Sequence, residues 1–334
     1  MDQHLKMQFA NFVCKFGEHM NLLDLAEEIV IPAFSDEELV RTFADTQYFI
    51  MDFQIWKETI TDGETLLCLG GRFVKDTVLQ RDQVYDDKQG RIVKSPMTMP
   101  SAPTSLFVLI LNNHKLIYLP EVSAAPPLQA FSATIRKFIG QKRKEFLESE
   151  YKAARERGEN RTKKSLRENI PEAKLTVVPL SSKESIESFV KGFRRLERLE
   201  LRLTDTNEEL DATAMWKSLR ASKANLGADT TKVVHSNTKG LKKDVAVDQI
   251  HAAASSGNQL VTARGVDEYG NPIKGNNDAF QLSVVVSIDP TRVKDSLRVM
   301  LARFQSLVTD GALVVGSPVS STKDKILSLI RQLL

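Results

Sequence analysis

The chain has 334 residues, 42% hydrophobic and 27% charged, with a formal net charge of +3. This is the composition of an ordinary globular protein, long enough for one large domain or, preferably, two with separate cores. No apolar run approaches the roughly 20 residues of a membrane-spanning helix, and residues 1–16 alternate instead of forming a basic-plus-apolar signal. Cys14 and Cys68 lie in strand-like apolar runs and read as buried free thiols, with a disulfide or metal site the poorer alternative. A cytoplasmic location is expected.

Residues 5–16 alternate as a strand, with one slip between Phe9 and Phe12 that could mark a bulge. Asn21 opens a short helix through Leu22, Leu25 and Ala26, and Ser35 with Glu38 reads as a capping box. Strands are expected at 48–56 and 66–79, and a loop at 82–103, which is charged and then rich in Pro and Ser. Leu106-Phe107-Val108-Leu109-Ile110-Leu111 is a buried strand, turned by Asn112-Asn113 into a second strand through Leu119. After Pro126-Pro127, Leu128, Phe131, Ile135, Phe138 and Ile139 fall at helical spacing. From 152 to 169 the helical propensity continues with Leu166 alone on an apolar face, as in a surface-projecting helix or a mobile arm.

Core structure resumes with a strand through Leu175, Val177 and Leu180, a helix over 182–198, and a short strand through Leu201 and Leu203. An amphipathic helix is expected around Met215, Trp216 and Leu219, then a polar stretch without a core, then a helix near 245–254. Residues 259–288 read as a hairpin turning at Tyr269-Gly270-Asn271-Pro272. Asp289-Pro290 starts a helix carrying Val293, Leu297, Met300, Leu301, Phe304 and Val308, and a last helix covers 322–334. The fold class is therefore α+β: an N-terminal domain at 1–150, a charged arm or linker at 151–173, and a second α+β domain at 174–334. The apolar faces of the last two helices read as core first, with a homodimer or partner contact as the alternative.

Positive charge is gathered into two stretches. Residues 136–169 hold twelve Lys/Arg against six Glu, and residues 211–243 hold seven against two Asp, so the rest of the chain is net negative. Such segregation is what binding a polyanion requires. In the first stretch the candidate contacts are Arg155, Arg157, Arg161, Lys163, Lys164 and Arg167; the competing reading is a solvated helix with i,i+4 pairs to Glu148, Glu150, Glu156 and Glu159. In the second they are Lys217, Arg220, Lys223, Lys232, His235, Lys239, Lys242 and Lys243, interleaved with Ser, Thr, Asn and Gly that suit phosphate oxygens; an ordinary lysine-rich loop competes. No zinc finger, helix-turn-helix or aromatic RNA-binding strand is present in the sequence, which favours backbone contact with duplex over base reading.

No histidine stands at ligand spacing from a cysteine or a second histidine, so neither metal nor cofactor is expected. His114 sits at a hairpin turn and reads as exposed. Gly70-Gly71 lacks the context of a phosphate loop, Asp82, Asp86 and Asp87 read as a solvated loop, and Asp267-Glu268 lacks nuclease spacing.

The order of elements resembles the RexA-type phage-exclusion proteins of the lambda Rex system and related defence proteins. The matching residues are Ser105-Leu106-Phe107-Val108 with its hairpin, the helix from Leu128, Leu175-Thr176-Val177-Val178-Pro179-Leu180, Val266-Asp267-Glu268-Tyr269-Gly270-Asn271 and the helix after Pro290, over roughly residues 100–310. The cytoplasmic protein of the Kiwa system is similar in outline. The resemblance implies a dimeric DNA-binding sensor that works with a membrane-protein partner. The expected function is non-sequence-specific binding of duplex DNA by a cytoplasmic homodimer in phage defence. A helical adaptor for a membrane partner and a magnesium-dependent nuclease are the alternatives.

Overall fold

The computed structural model describes residues 3–60, 63–206, 214–254, 257–313, 315–316 and 320–334. The chain is α+β. It begins with β1 (Gln3–Phe16) and β2 (Met20–Asn21). Asn21 Oδ1 accepts the Leu23 N–H and Asp24 accepts the Asn21 N–H, a reciprocal cap for the turns that lead into α1 (Ile31–Ser35). Ser35 ends this helix and does not begin one: the Asp36 carboxylate takes the Glu38 N–H in the turn that follows, which corrects the expected capping box. Next come β3 (Arg41–Phe43), β4 (Thr46–Thr59), β5 (Thr65–Asp86), β6 (Arg91–Ser101), β7 (Thr104–Ile110), β8 (Lys115–Pro120), α2 (Leu128–Glu156) and α3 (Lys163–Asn169). The rest is β9 (Ala173–Pro179), α4 (Lys183–Lys191), β10 (Arg195–Leu203), α5 (Ala214–Asn225), β11 (Lys232–Ser236), α6 (Lys243–Ala254), β12 (Gln259–Val266), β13 (Pro272–Asn276), β14 (Ser283–Ile288), α7 (Val293–Thr309) and α8 (Ser320–Leu333).

Among the described residues ten strands form one antiparallel sheet in the order β14-β1-β8-β7-β5-β4-β3, with β2 and β9 also on β1 and β6 on β5. Both faces are covered, which is why β7 is apolar without alternation. Phe107, Leu109 and Leu111 pack with α1, α2 and α8, whereas Leu106, Val108 and Ile110 pack with α7. The Phe131 ring of α2 anchors the first layer, 5.1 to 6.3 Å from the rings of Phe34, Phe73, Phe107 and Tyr118. The slip in β1 is a change of covered face. Met7 and Phe9 point to the α7 side, Phe12, Cys14 and Phe16 to the α2 side, and the pairing with β8 and β9 runs through without a bulge.

A second antiparallel sheet, β11-β10-β12-β13, is covered on one side by α4, α5 and α6. Its core joins Leu199, Leu201, Leu203, Val261 and Ala263 to Ile186, Val190, Trp216, Val247 and Ile250. At Gly265 a Cβ would overlap the Arg195 carbonyl, beside the register shift between Leu196 and Arg198.

Strand pairing crosses the boundary expected near 174. β9 and β14 both pair with β1, so the segment between them builds the second sheet while the chain on either side of it belongs to the first. For the same reason residues 259–288 are not one hairpin. The turn at 267–271 joins β12 to β13, and β14 leaves for the large sheet. The helix expected to run to Arg198 stops at Lys191, and β10 starts at Arg195. The loop expected at 82–103 is instead the distal part of a hairpin of β5 with β6, turned where Asp86 Oδ1 accepts the Lys88 and Gln89 N–H groups. Its alternation is broken by Arg81, by the Gln83–Lys94 pair and by the register shift between Arg81 and Gln83.

Candidate nucleic-acid interface

The two basic stretches lie on different elements. The end of α2 and α3 carry the first, and its charges are largely spent on neighbouring carboxylates. Glu159 accepts Arg157 at 2.6 Å and lies 2.9 Å from Arg161 as an ion pair, Glu148 accepts Lys163 at 2.7 Å, and Lys164 lies 3.9 Å from Glu168. Arg157 holds the Glu159 carboxyl below the ordinary carboxylate range, and Lys163 does the same to Glu148. Arg155 and Lys163 also flank the Tyr151 ring, 5.7 and 5.1 Å from its centre. Leu166 is buried, and Arg143 donates to the carbonyls of Arg167 and Ile170 at the end of α3. The segment read as a projecting arm is therefore docked on α2. Arg167 remains exposed at its end.

In the second stretch Arg220 and Lys223 turn inward. Arg220 donates to the carbonyls of Thr204 and Asn258, and Lys223 approaches Asp205 at 3.4 Å, which ties α5 to the ends of β10 and β12. Trp216, one turn earlier, is buried in the small core. Lys217, Lys239 and Lys242 are exposed, and Lys243, at the start of α6, is half-buried. Among the described residues none of these four lysines makes an ion pair. Lys239 rides on a turn in which its N–H donates to Asn237 Oδ1 and Asn237 Nδ2 donates to the Gly240 carbonyl, with Gly240 at φ 111°. His235 is exposed on β11, opposite Leu199 in register and so on the helix-covered side.

Lys232 belongs to a different group, one that linear reading missed. The side of the small sheet away from the helices is uncovered, and register places Arg198, Glu200 and Arg202 of β10 there. Arg198 stands opposite Ser236 and Arg264, and Arg264 stands opposite Lys274. These four residues form one row across all four strands, about 15 Å wide at ordinary strand spacing. Arg202 and Lys232 face each other in a parallel row. The five cations are all exposed. Against them stands one carboxylate, Glu200, which accepts Lys232 at 2.7 Å and Arg198 at 3.5 Å and is held below its ordinary pKa, chiefly by Lys232. Among the described residues Arg202, Arg264 and Lys274 have no ion pair. Like charges directly opposite one another destabilise a sheet, and an anion laid along the row removes that repulsion. The signal in the sequence is the alternation in Arg198-Leu199-Glu200-Leu201-Arg202-Leu203, with charge on every even position. The face offers no aromatic ring: its other members are Val234, Leu260, Thr262 and Asn276.

Outside this surface, His114 is buried rather than exposed, a correction to its sequence reading. It is 3% accessible at φ 54°, neither ring nitrogen has a partner, and burial followed by Lys115, Lys15 and Lys325 lowers its pKa to about 3. Next to it, buried Lys115 donates to Asn11 Oδ1, and Asn11 donates to Asn258 and to the Gly257 carbonyl, a polar joint between the two sheets. Cys14 and Cys68 are buried free thiols, and burial pushes Cys14 up to about 12. Asp267 serves its own turn, accepting from Tyr269 and Asn271 N–H groups. Among the described residues no group of His, Cys, Asp and Glu is placed to hold a metal, and no helix is long and apolar enough to cross a membrane.

No curated protein matches the chain. A family model described as a domain of unknown function, DUF4747, matches residues 33–304, from α1 into α7 and so across both sheets. The match covers most of the sequence, and the chain belongs to the DUF4747 family.

Proposed function

We propose that this protein binds nucleic acid through the phosphate backbone, duplex DNA in particular, using the uncovered face of the small sheet with the lysines of the 237–243 turn at its β11 end. The observation that carries the reading is the row Ser236, Arg198, Arg264 and Lys274, with Arg202 and Lys232 beside it and a single carboxylate among them. Arginine forks and hydroxyls are the usual partners of phosphate oxygens. With no aromatic on the face to stack an unpaired base, backbone contact with a duplex is favoured over single-strand recognition. The paired charges of α2 and α3 take a lesser part.

The resemblance to RexA-type exclusion proteins points the same way and extends the reading to a sensor or effector in phage defence. A cytoplasmic location goes with it, supported by two buried cysteines that remain thiols. The test is a salt-titrated mobility shift on duplex DNA, single-stranded DNA and RNA of matched length. Duplex binding that is indifferent to sequence and weakens steeply with salt is expected. A preference for single strands, or affinity that ignores salt, would overturn the proposal.

A further inference from the structure

We infer that the β5–β6 ribbon is a dimerisation arm whose occupant is a second copy of this chain. Beyond the Lys75 N–H bond to the Pro103 carbonyl, the two strands leave the large sheet and pair only with each other, Thr77–Asp86 against Arg91–Ser101. From Asp76 to Met99 every residue is exposed or half-exposed. A two-stranded ribbon on its own is marginal in water. This one nevertheless displays most of its large apolar side chains on one face, Leu79 opposite Met99, Met97 opposite Arg81 and, past the Gln83–Lys94 pair, Tyr85 opposite Ile92, with Val78 on the other face. These apolar side chains are 39% to 61% exposed. Arg81 is drawn off the stripe, donating to the backbone and the hydroxyl of Ser95.

Charge and area choose the occupant. Between residues 76 and 94 the ribbon carries Asp76, Asp82, Asp86 and Asp87 against Arg81, Lys88, Arg91 and Lys94, an even balance. A nucleic acid or an anionic membrane selects for a basic surface, and a strongly charged partner for the opposite sign. A balanced arm can lie against its own copy with no charge accumulating at the contact. Each face of a ribbon about ten residues long and two strands wide covers roughly 350 Å². Two arms meeting by one face would bury about 700 Å² in total, the size of a chance contact. Two arms that each engage both faces, one on the other arm and one on the other body, make three such contacts and bury about 2,100 Å² in total, within the range of obligate dimers. The arrangement is therefore a mutual embrace about a two-fold axis. The helix at the end of the chain is less available for such a contact, because Ile326 and Leu329 of α8 already pack into the large core.

Sedimentation equilibrium of the full chain from about 1 to 100 μM, spanning the weaker end for interfaces of this size, is the test. The wild type should run at twice 37.4 kDa, and Leu79→Glu/Met97→Glu/Met99→Glu at 37.4 kDa. A second variant, joining Thr77 to Ser101 through an Asn-Gly turn, removes the ribbon and should also be a monomer with the circular dichroism of the remaining fold. A monomeric wild type would overturn the inference. So would dimers that survive in both variants, or loss of dimer only together with loss of folded structure in both. DNA affinity of the monomeric variants, measured at high DNA concentration, reads the sheet surface separately.

Discussion

Replacing Arg264 and Lys274 with Gln removes two of five cations from the open sheet face without touching the core. Both side chains are exposed and without ion pairs among the described residues, and each stands opposite another cation. Their loss should leave thermal stability unchanged or slightly raised. The consequence for binding follows from counterion release. Five cations less Glu200 leave about four phosphates to neutralise, a slope of about −3.6 in log affinity against log salt, and a loss of about 150-fold between 50 and 200 mM. The double variant should show a slope of about −1.8 and lose about 12-fold over the same range. Contributions from Lys239 and Lys242 cancel in the difference between the two slopes. Fluorescence anisotropy of a labelled duplex at five or so salt concentrations measures both. Equal slopes for the two proteins would show that the sheet face does not meet phosphate, whatever the absolute affinities.

Glu200→Gln should strengthen binding and steepen the salt slope by about 0.9, because Lys232 and Arg198 lose their competing carboxylate; weaker binding in the same anisotropy assay would mean that Glu200 positions those cations. His114 has a native pKa near 3, well below its ordinary value, so between pH 6.5 and 3 the unfolded chain binds a proton that the native state refuses. Stability should therefore rise with pH across that window, by about 2 kcal/mol from pH 5 to 7, and His114→Asn, which tolerates the φ of 54°, should remove this part of the dependence in urea titrations at several pH values. Phe131→Ala empties the centre of the aromatic cluster and should cost about 3–5 kcal/mol in denaturant unfolding. Cys14 and Cys68 should not react with a thiol reagent in the native protein and should both react in denaturant, since burial raises both thiol pKa values.

Local signals in the chain were enough for those elements whose pattern is set by one neighbour. The hairpin of β7 and β8, the apolar stripes of α2 and α7, the turn at 267–271 and the buried state of both cysteines are all legible from periodicity and turn residues. The ribbon was not, because Arg81 and the Gln83–Lys94 pair interrupt its apolar stripe and a register shift follows Arg81, so neither strand alternates cleanly. The capping box at Ser35 failed because Pro32 had already started the helix that Ser35 closes. His114 was misread because a turn can be covered from outside by elements distant in sequence.

For the candidate site, the sequence by itself determined that positive charge is concentrated and that few acids accompany the second stretch. Tertiary structure alone decided which charges face outward together. Lys163 is met by Glu148 when α3 folds back on α2, while Arg157 and Arg161 pair with their sequence neighbour Glu159, and Arg220 is drawn into the joint between the sheets. Arg198 lies 66 residues before Arg264, and strand register puts both in one row with Lys274. The physical reason is range. Helical and strand periodicity depend on neighbours a few residues away, whereas the field at a surface depends on which distant strands pair and which face of a sheet is left without a covering layer.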